Sequence, residues 1–117
     1  MLATIEAIAD RLTDEHGLVY RYRTEDGVDG LAGAEGAFLL CTFWLAQALA
    51  MAGRVDRARA VFARAAGYVN DVGLLAEEVD TASGDLLGNF PQASSHIGLV
   101  NAAWAIQQAD QRGRATA

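Results

Sequence analysis

The sequence contains no lysine, one cysteine and one proline. All nine basic residues are therefore arginine, and against fifteen acidic residues they leave a net charge of −6. The basic footprint of a nucleic-acid binder is missing. A lone cysteine, Cys41, cannot make an internal disulfide, and nothing points to an oxidising compartment, so a reducing cytoplasm is the expected location. No cationic segment followed by an apolar stretch opens the chain. The longest apolar run, residues 37–52, is interrupted by Thr42 and Gln47 and falls short of the ~20 residues that a membrane span needs. Neither a nucleic acid nor a membrane is expected as a partner.

What is abundant is apolar surface. Hydrophobic residues make up 52% of 117, which excludes a disordered tail and leaves room for one domain, or a piece of one, over residues 1–117. Hydrophobic spacing predicts four helices. Met1 to Glu15 places Ile5, Ile8, Ala9 and Leu12 on one face, and Gly17 is placed to end it. Residues 36–52 are apolar nearly all the way round until Gly53 supplies a stop. Arg54 to Tyr68 is one-sided again, with Val55, Ala58, Val61, Phe62 and Ala65 on a stripe, and should form an antiparallel hairpin with the helix before it. His96 to Ala109 is almost wholly apolar in its first half, with Ser94 or Ser95 as its cap.

One-sided helices thus alternate with helices that want burial on every side. Four helices cannot wrap two such helices completely, and the patch left open exceeds what monomers tolerate. The expectation is either an oligomer or a segment of a larger layered α/α structure. Trp44 and Trp104, at helical spacing in apolar segments, are expected in the core.

The two long connections carry most of the residues able to do chemistry. Leu18 to Arg23 is a short extended stretch leading into a glycine-containing loop that ends at Gly36. The second connection, from Asn70 to Ala93, holds Glu77, Glu78, Asp80, Asp85 and Pro91. Both precede an apolar helix, so arginines, tyrosines and carboxylates should converge on one rim. Carboxylates facing arginines and aromatics suit glycoside hydrolysis, in which one acid protonates the leaving oxygen and one carboxylate activates water or attacks carbon.

Three runs, EGAFLLCTFWLAQALAMAGR (35–54), GLLAEEVD (73–80) and GNFPQASSHIGLVNAAWAI (88–106), resemble in order and spacing the C-terminal part of glycoside hydrolase family 15, which contains glucoamylases, glucodextranases and bacterial trehalases. The resemblance covers about Leu18 to Ala109. It implies an all-α fold, part of an (α/α)6 barrel of inner and outer helices, and an inverting reaction on a terminal α-glucosyl unit without a cofactor. The family's general base falls on Glu77. Glu78 stands where fungal members carry glutamine. The sugar-binding arginine of the family matches Arg21 or Arg23, and its acidic partner matches Asp26. Glu35 enters an inner helix as part of a substrate-site wall, where a carboxylate also suits the helix dipole. The family's general acid lies upstream of anything in this chain, so the chain alone is expected to lack appreciable hydrolase activity.

Other constellations fail. His16, Cys41 and His96 have no zinc-ligand spacing, and the glycines at 30, 33 and 36 do not follow a strand as G-x-G-x-x-G. Asp26 and Asp29 lack the remaining ligands of a calcium loop. Ser94, Ser95 and His96 are too local for a triad; His96 reads as structural or pocket-lining, and DTASGD (80–85) as a polar turn. Leu45 to Ala66 also resembles one tetratricopeptide hairpin, a non-catalytic scaffold unit, but no second copy occurs at a period near 34. A stand-alone oligomerising helical domain is the third expectation.

Overall fold

The computed structural model describes residues 2–13, 17–20, 37–69, 73–80 and 83–116. Among these, the helical class expected from the sequence holds. Helices α1 (Leu2–Leu12), α2 (Leu39–Met51), α3 (Val55–Ala66) and α4 (Ala93–Thr116) are accompanied by two-residue strands β1 (Ala37–Phe38), β2 (Glu78–Val79) and β3 (Leu86–Leu87). The strands form one antiparallel sheet in the order β1-β2-β3.

The small sheet was not expected, and it explains why α2 starts at Leu39 rather than Gly36. Phe38 N–H donates to Val19 O (2.9 Å) and Leu39 N–H to Glu77 O (3.1 Å). Extended backbone at 37–38 is what lets both donors reach neighbouring segments. Thr42 secures the same junction from the first turn of α2. Its buried hydroxyl donates to Phe38 O (3.0 Å) and accepts Val19 N–H (2.9 Å). A polar residue in an otherwise apolar helix is buried here because both sides of its hydroxyl are used. The first helix also stops earlier than expected, at Leu12. Thr13 bridges Val19, and Tyr20 N–H donates to Leu12 O.

The α2–α3 hairpin turns where the sequence signals it. Gly53 has φ +84°, Arg54 N–H donates to Leu49 O and Gly53 N–H to Ala50 O, the paired bonds of a Schellman cap. Along α3 the expected stripe faces inward, with Ala58 and Ala65 buried and Phe62 edge-on to Phe43 at a centroid distance of 5.7 Å. Surface ion pairs Arg57–Glu6 and Arg59–Asp110 tie α3 to α1 and α4, each contributing about 0–1 kcal/mol.

Helix α2 is the centre of the molecule. Phe43, Leu49 and Leu39 are fully buried on it, and it joins a core against Ile5, Ala58 and Ala105 to one against Leu18, Leu75 and Val79. Helix α4 turns a row of small residues toward it: Ser95, Gly98, Ala102, Ala105 and Ala109. A Cβ on Gly98 would lie 2.9 Å from Leu40 Cδ1 and 3.2 Å from Phe43 Cβ, so the absent side chain allows the two helices to approach. Leu99 and Ile106 of α4 also pack against the core, but three of its large apolar residues point the other way. Ile97, Val100 and Trp104 are exposed, as are Trp44 and Met51 of α2. Met51 and Trp104 border one shallow hollow with Gln47 and Asn101. The expected core position of the tryptophans is therefore corrected: Trp44 is 55% and Trp104 62% exposed. The reason is that α4 buries its small residues where backbones meet closely, leaving its bulky face uncovered, as the excess of apolar helix surface implied.

Candidate active site

The segment leading into β2 is gripped by the start of α4 and by the turn before it. Leu75 and Ala76 are completely buried, so their polar backbone groups need partners within the protein. Gln92 N–H donates to Leu75 O (2.9 Å) and Ser95 Oγ to Ala76 O (2.8 Å), while Leu75 N–H donates to His96 Nε2 (3.2 Å). Glu77 N–H donates to Asn89 O at 3.0 Å. The expected capping role of Ser94 or Ser95 is thereby corrected. Helix α4 begins at Ala93, and Ser95 lies inside its first turn with its hydroxyl committed to the neighbouring segment.

This framework holds the Glu77 side chain as well as its backbone. Asn89 N–H donates to Glu77 Oε2 at 3.1 Å, and no other hydrogen bond to this half-buried carboxylate occurs among the described residues. Directly beneath it lies Gly88, with φ +75°. A Cβ there would stand 2.9 Å from Glu77 Oε2 and 3.1 Å from Glu77 Cβ. Only a residue without a side chain leaves the carboxylate its place. One oxygen anchored on a backbone N–H and the other without a hydrogen-bond partner among the described residues is an arrangement suited to a general base.

Glu78 lies next in the chain, in β2, where its backbone pairs with Phe38 and Leu87. Asp80 and Asp85 close the β2–β3 hairpin as the polar turn expected there. Asp80 N–H donates to Asp85 O (2.8 Å) and Gly84 N–H to Asp80 O (2.7 Å). The other sequence-assigned site residues, Arg21, Arg23, Asp26 and Glu35, lie outside the described residues, and so does His16. Sequence reasoning missed the parts played by Gly88, Asn89, Gln92 and Ser95. All four belong to the GNFPQASSH run, and residue order along that run carries no sign of the contacts it makes with residues 75–77.

The apolar cavity of about 310 Å³ between α1 and α2, lined by Ile5, Ile8, Leu12, Cys41 and Trp44 among others, lacks the convergent polar groups of a catalytic site. Among the described residues no group of three or more histidine, cysteine or acidic side chains converges to hold a metal ion, and no helix is long and apolar enough to cross a membrane.

The sequence model of glycosyl hydrolases family 15 matches residues 1–104. The chain belongs to this family. Proteins similar to it include a trehalase of Mycolicibacterium smegmatis, 46% identical over 109 residues, or 93% of this chain and 16% of the relative. A trehalase of Mycobacterium tuberculosis is 45% identical over 108 residues, 92% of this chain and 16% of the relative. A trehalase of Thermoplasma acidophilum is 41% identical over 108 residues, 92% of this chain and 18% of the relative. The chain thus spans less than a fifth of the length of these relatives. No solved structure matches it significantly. The family match also runs through the 45–66 hairpin, the segment that resembles a tetratricopeptide unit.

Proposed function

We propose that this chain supplies the general-base side of an inverting α-glucosidase site, with Glu77 as the base and trehalose as the favoured substrate. The observation that carries the reading is the Glu77 carboxylate, seated over Gly88 and bonded through Oε2 to Asn89 N–H. In the reaction, Glu77 takes a proton from a water whose oxygen forms a bond to the anomeric carbon of a terminal α-glucosyl unit. The glycosidic bond breaks as a general acid, supplied by another part of the catalytic domain, protonates the leaving oxygen. Direct attack by water inverts the anomeric configuration, and the two carboxyl groups stand about 6.5–9.5 Å apart to admit it. Trehalose is favoured because the relatives named above are trehalases. Arg21 or Arg23, with Asp26, Glu35 and Glu78, would form the sugar-binding wall.

The remainder of an (α/α)6 barrel would cover the face bearing Trp44, Met51, Ile97, Val100 and Trp104. Two observations support it: five large apolar side chains lie exposed on helices α2 and α4, and the matched segment spans only 16% of the length of the two mycobacterial trehalases. A cytoplasmic location fits a sequence whose single cysteine, Cys41, can form no internal disulfide.

The deciding experiment is Glu77→Gln in the complete catalytic domain. Turnover of trehalose should fall by about 10²–10⁴-fold, the usual contribution of a general base, with sugar affinity largely kept. Near-normal turnover would remove Glu77 from the chemistry. The 117-residue chain by itself should release no glucose from trehalose or from an α-glucan, since it holds only one side of the site.

A further inference from the structure

We propose that His96 is a positioning residue for Glu77, held in the neutral Nδ1–H form and acting through the Leu75 backbone; the inference rests on the reading of Glu77 as the base. Leu75 N–H can only donate, so the Nε2 atom that meets it at 3.2 Å must carry a lone pair. Gln92 O can only accept, so Nδ1, at 2.7 Å from it, must carry the hydrogen. Only one tautomer satisfies both neighbours. A doubly protonated ring would set a hydrogen on Nε2 against the Leu75 hydrogen.

The same geometry decides against direct sugar binding by this ring. Both nitrogens are already used inside the protein, and neither is left for a substrate hydroxyl. What the ring does hold is the chain two residues before Glu77. Leu75 is fully buried, and its N–H lies before β2 begins, outside the sheet ladder. Without His96 that donor is orphaned, and the strand keeps its bonds to Gln92 and Ser95 but loses the one that sets where residue 75 enters. The carboxylate accepts Asn89 N–H at 3.1 Å and occupies the space that a Cβ on Gly88 would need, so a small shift of the segment moves Glu77 relative to its turn. A misplacement of about 1 Å costs roughly 10²-fold in rate.

The first measurement uses the isotopically labelled 117-residue chain. Nitrogen NMR of His96 should report hydrogen on Nδ1, with a scalar coupling between Leu75 N and His96 Nε2 across the hydrogen bond. Hydrogen on Nε2, or no coupling, overturns the proposal. In the same chain His96→Leu should shift the Asn89 amide resonance, which senses the Glu77 carboxylate, and His96→Gln, whose amide can replace both the acceptor and the donor, should return it toward its original position. If His96→Leu does not fold, the tautomer, the coupling and the Gln variant still decide.

In the complete catalytic domain His96→Leu should lower kcat about 10–100-fold with KM changed less than about threefold. His96→Gln should recover most of the loss. Placed on Glu77→Gln, His96→Leu should add little, because its effect passes through the lost base. A full multiplicative loss on that background, or equal losses in the Leu and Gln variants, overturns the positioning role. Normal turnover in Glu77→Gln would instead reject the base assignment, a result distinct from any outcome at His96.

Discussion

Gly88 lies against Glu77 so closely that a Cβ on the glycine would sit 2.9 Å from the carboxylate Oε2 and 3.3 Å from Cδ. Gly88→Ala should therefore do two things at once. The φ of +75° strains an alanine by about 1–3 kcal/mol, and the new methyl displaces the carboxylate. Chemical denaturation of the 117-residue chain measures the first effect. Loss of the Glu77-dependent position of the Asn89 amide in NMR reports the second.

Removing a hydroxyl from the core of the site tests the grip of α4. Ser95→Ala leaves the buried Ala76 carbonyl without the donor it has at 2.8 Å, and should lower stability by about 1–3 kcal/mol. Unfolding in urea measures it, and Ser94→Ala in parallel should cost less because Ser94 is only half-buried.

Two glycines of α4 should respond oppositely to the same change. Gly98→Ala gains helix propensity of about 1 kcal/mol but must push on Leu40 and Phe43, at 2.9 and 3.2 Å. Overpacking of about 1–3 kcal/mol offsets that gain and should leave the variant less stable. Gly113→Ala meets nothing within 4 Å and should be stabilising by up to about 1 kcal/mol. The order of the two thermal midpoints checks the packing of α4 on α2.

The uncovered apolar face has its own signature. In the 117-residue chain Trp104→Ala removes a side chain that is 62% exposed, and stability should change by no more than about 0.5 kcal/mol. In the complete catalytic domain, where the proposed barrel covers it, the same substitution should cost about 3–5 kcal/mol. Equal, small effects in both proteins would place this face on the outside of the whole enzyme.

Thr42 separates a hydrogen bond from volume. Thr42→Val keeps the shape but loses both the bond to Phe38 O and the acceptor for Val19 N–H, and should destabilise by about 1–3 kcal/mol. Thr42→Ser keeps the hydroxyl and should retain more of the stability. Denaturant midpoints of the two variants give the comparison.

Hydrophobic spacing alone determined the helical class, the alternation of one-sided and all-round apolar helices, the Gly53 turn and the inward stripe of α3, because each depends on neighbours within a few residues. The excess of apolar surface over what four helices can bury was equally legible, and so was the run of residues around Glu77. The tertiary structure decided the rest. An all-round apolar helix has no face that its own sequence prefers, so only the close approach permitted by Gly98 and the alanines turned Trp104 outward and Ala102 inward. The brief strand at Ala37–Phe38 has no periodic signal of its own; it exists because Val19 and Glu77 offer backbone acceptors from distant parts of the chain. In the same way Ser95 read locally as a helix cap and became the partner of Ala76 nineteen positions away. Hydrogen bonds of that span are chosen by which segments pack together, and spacing along one segment carries no record of them.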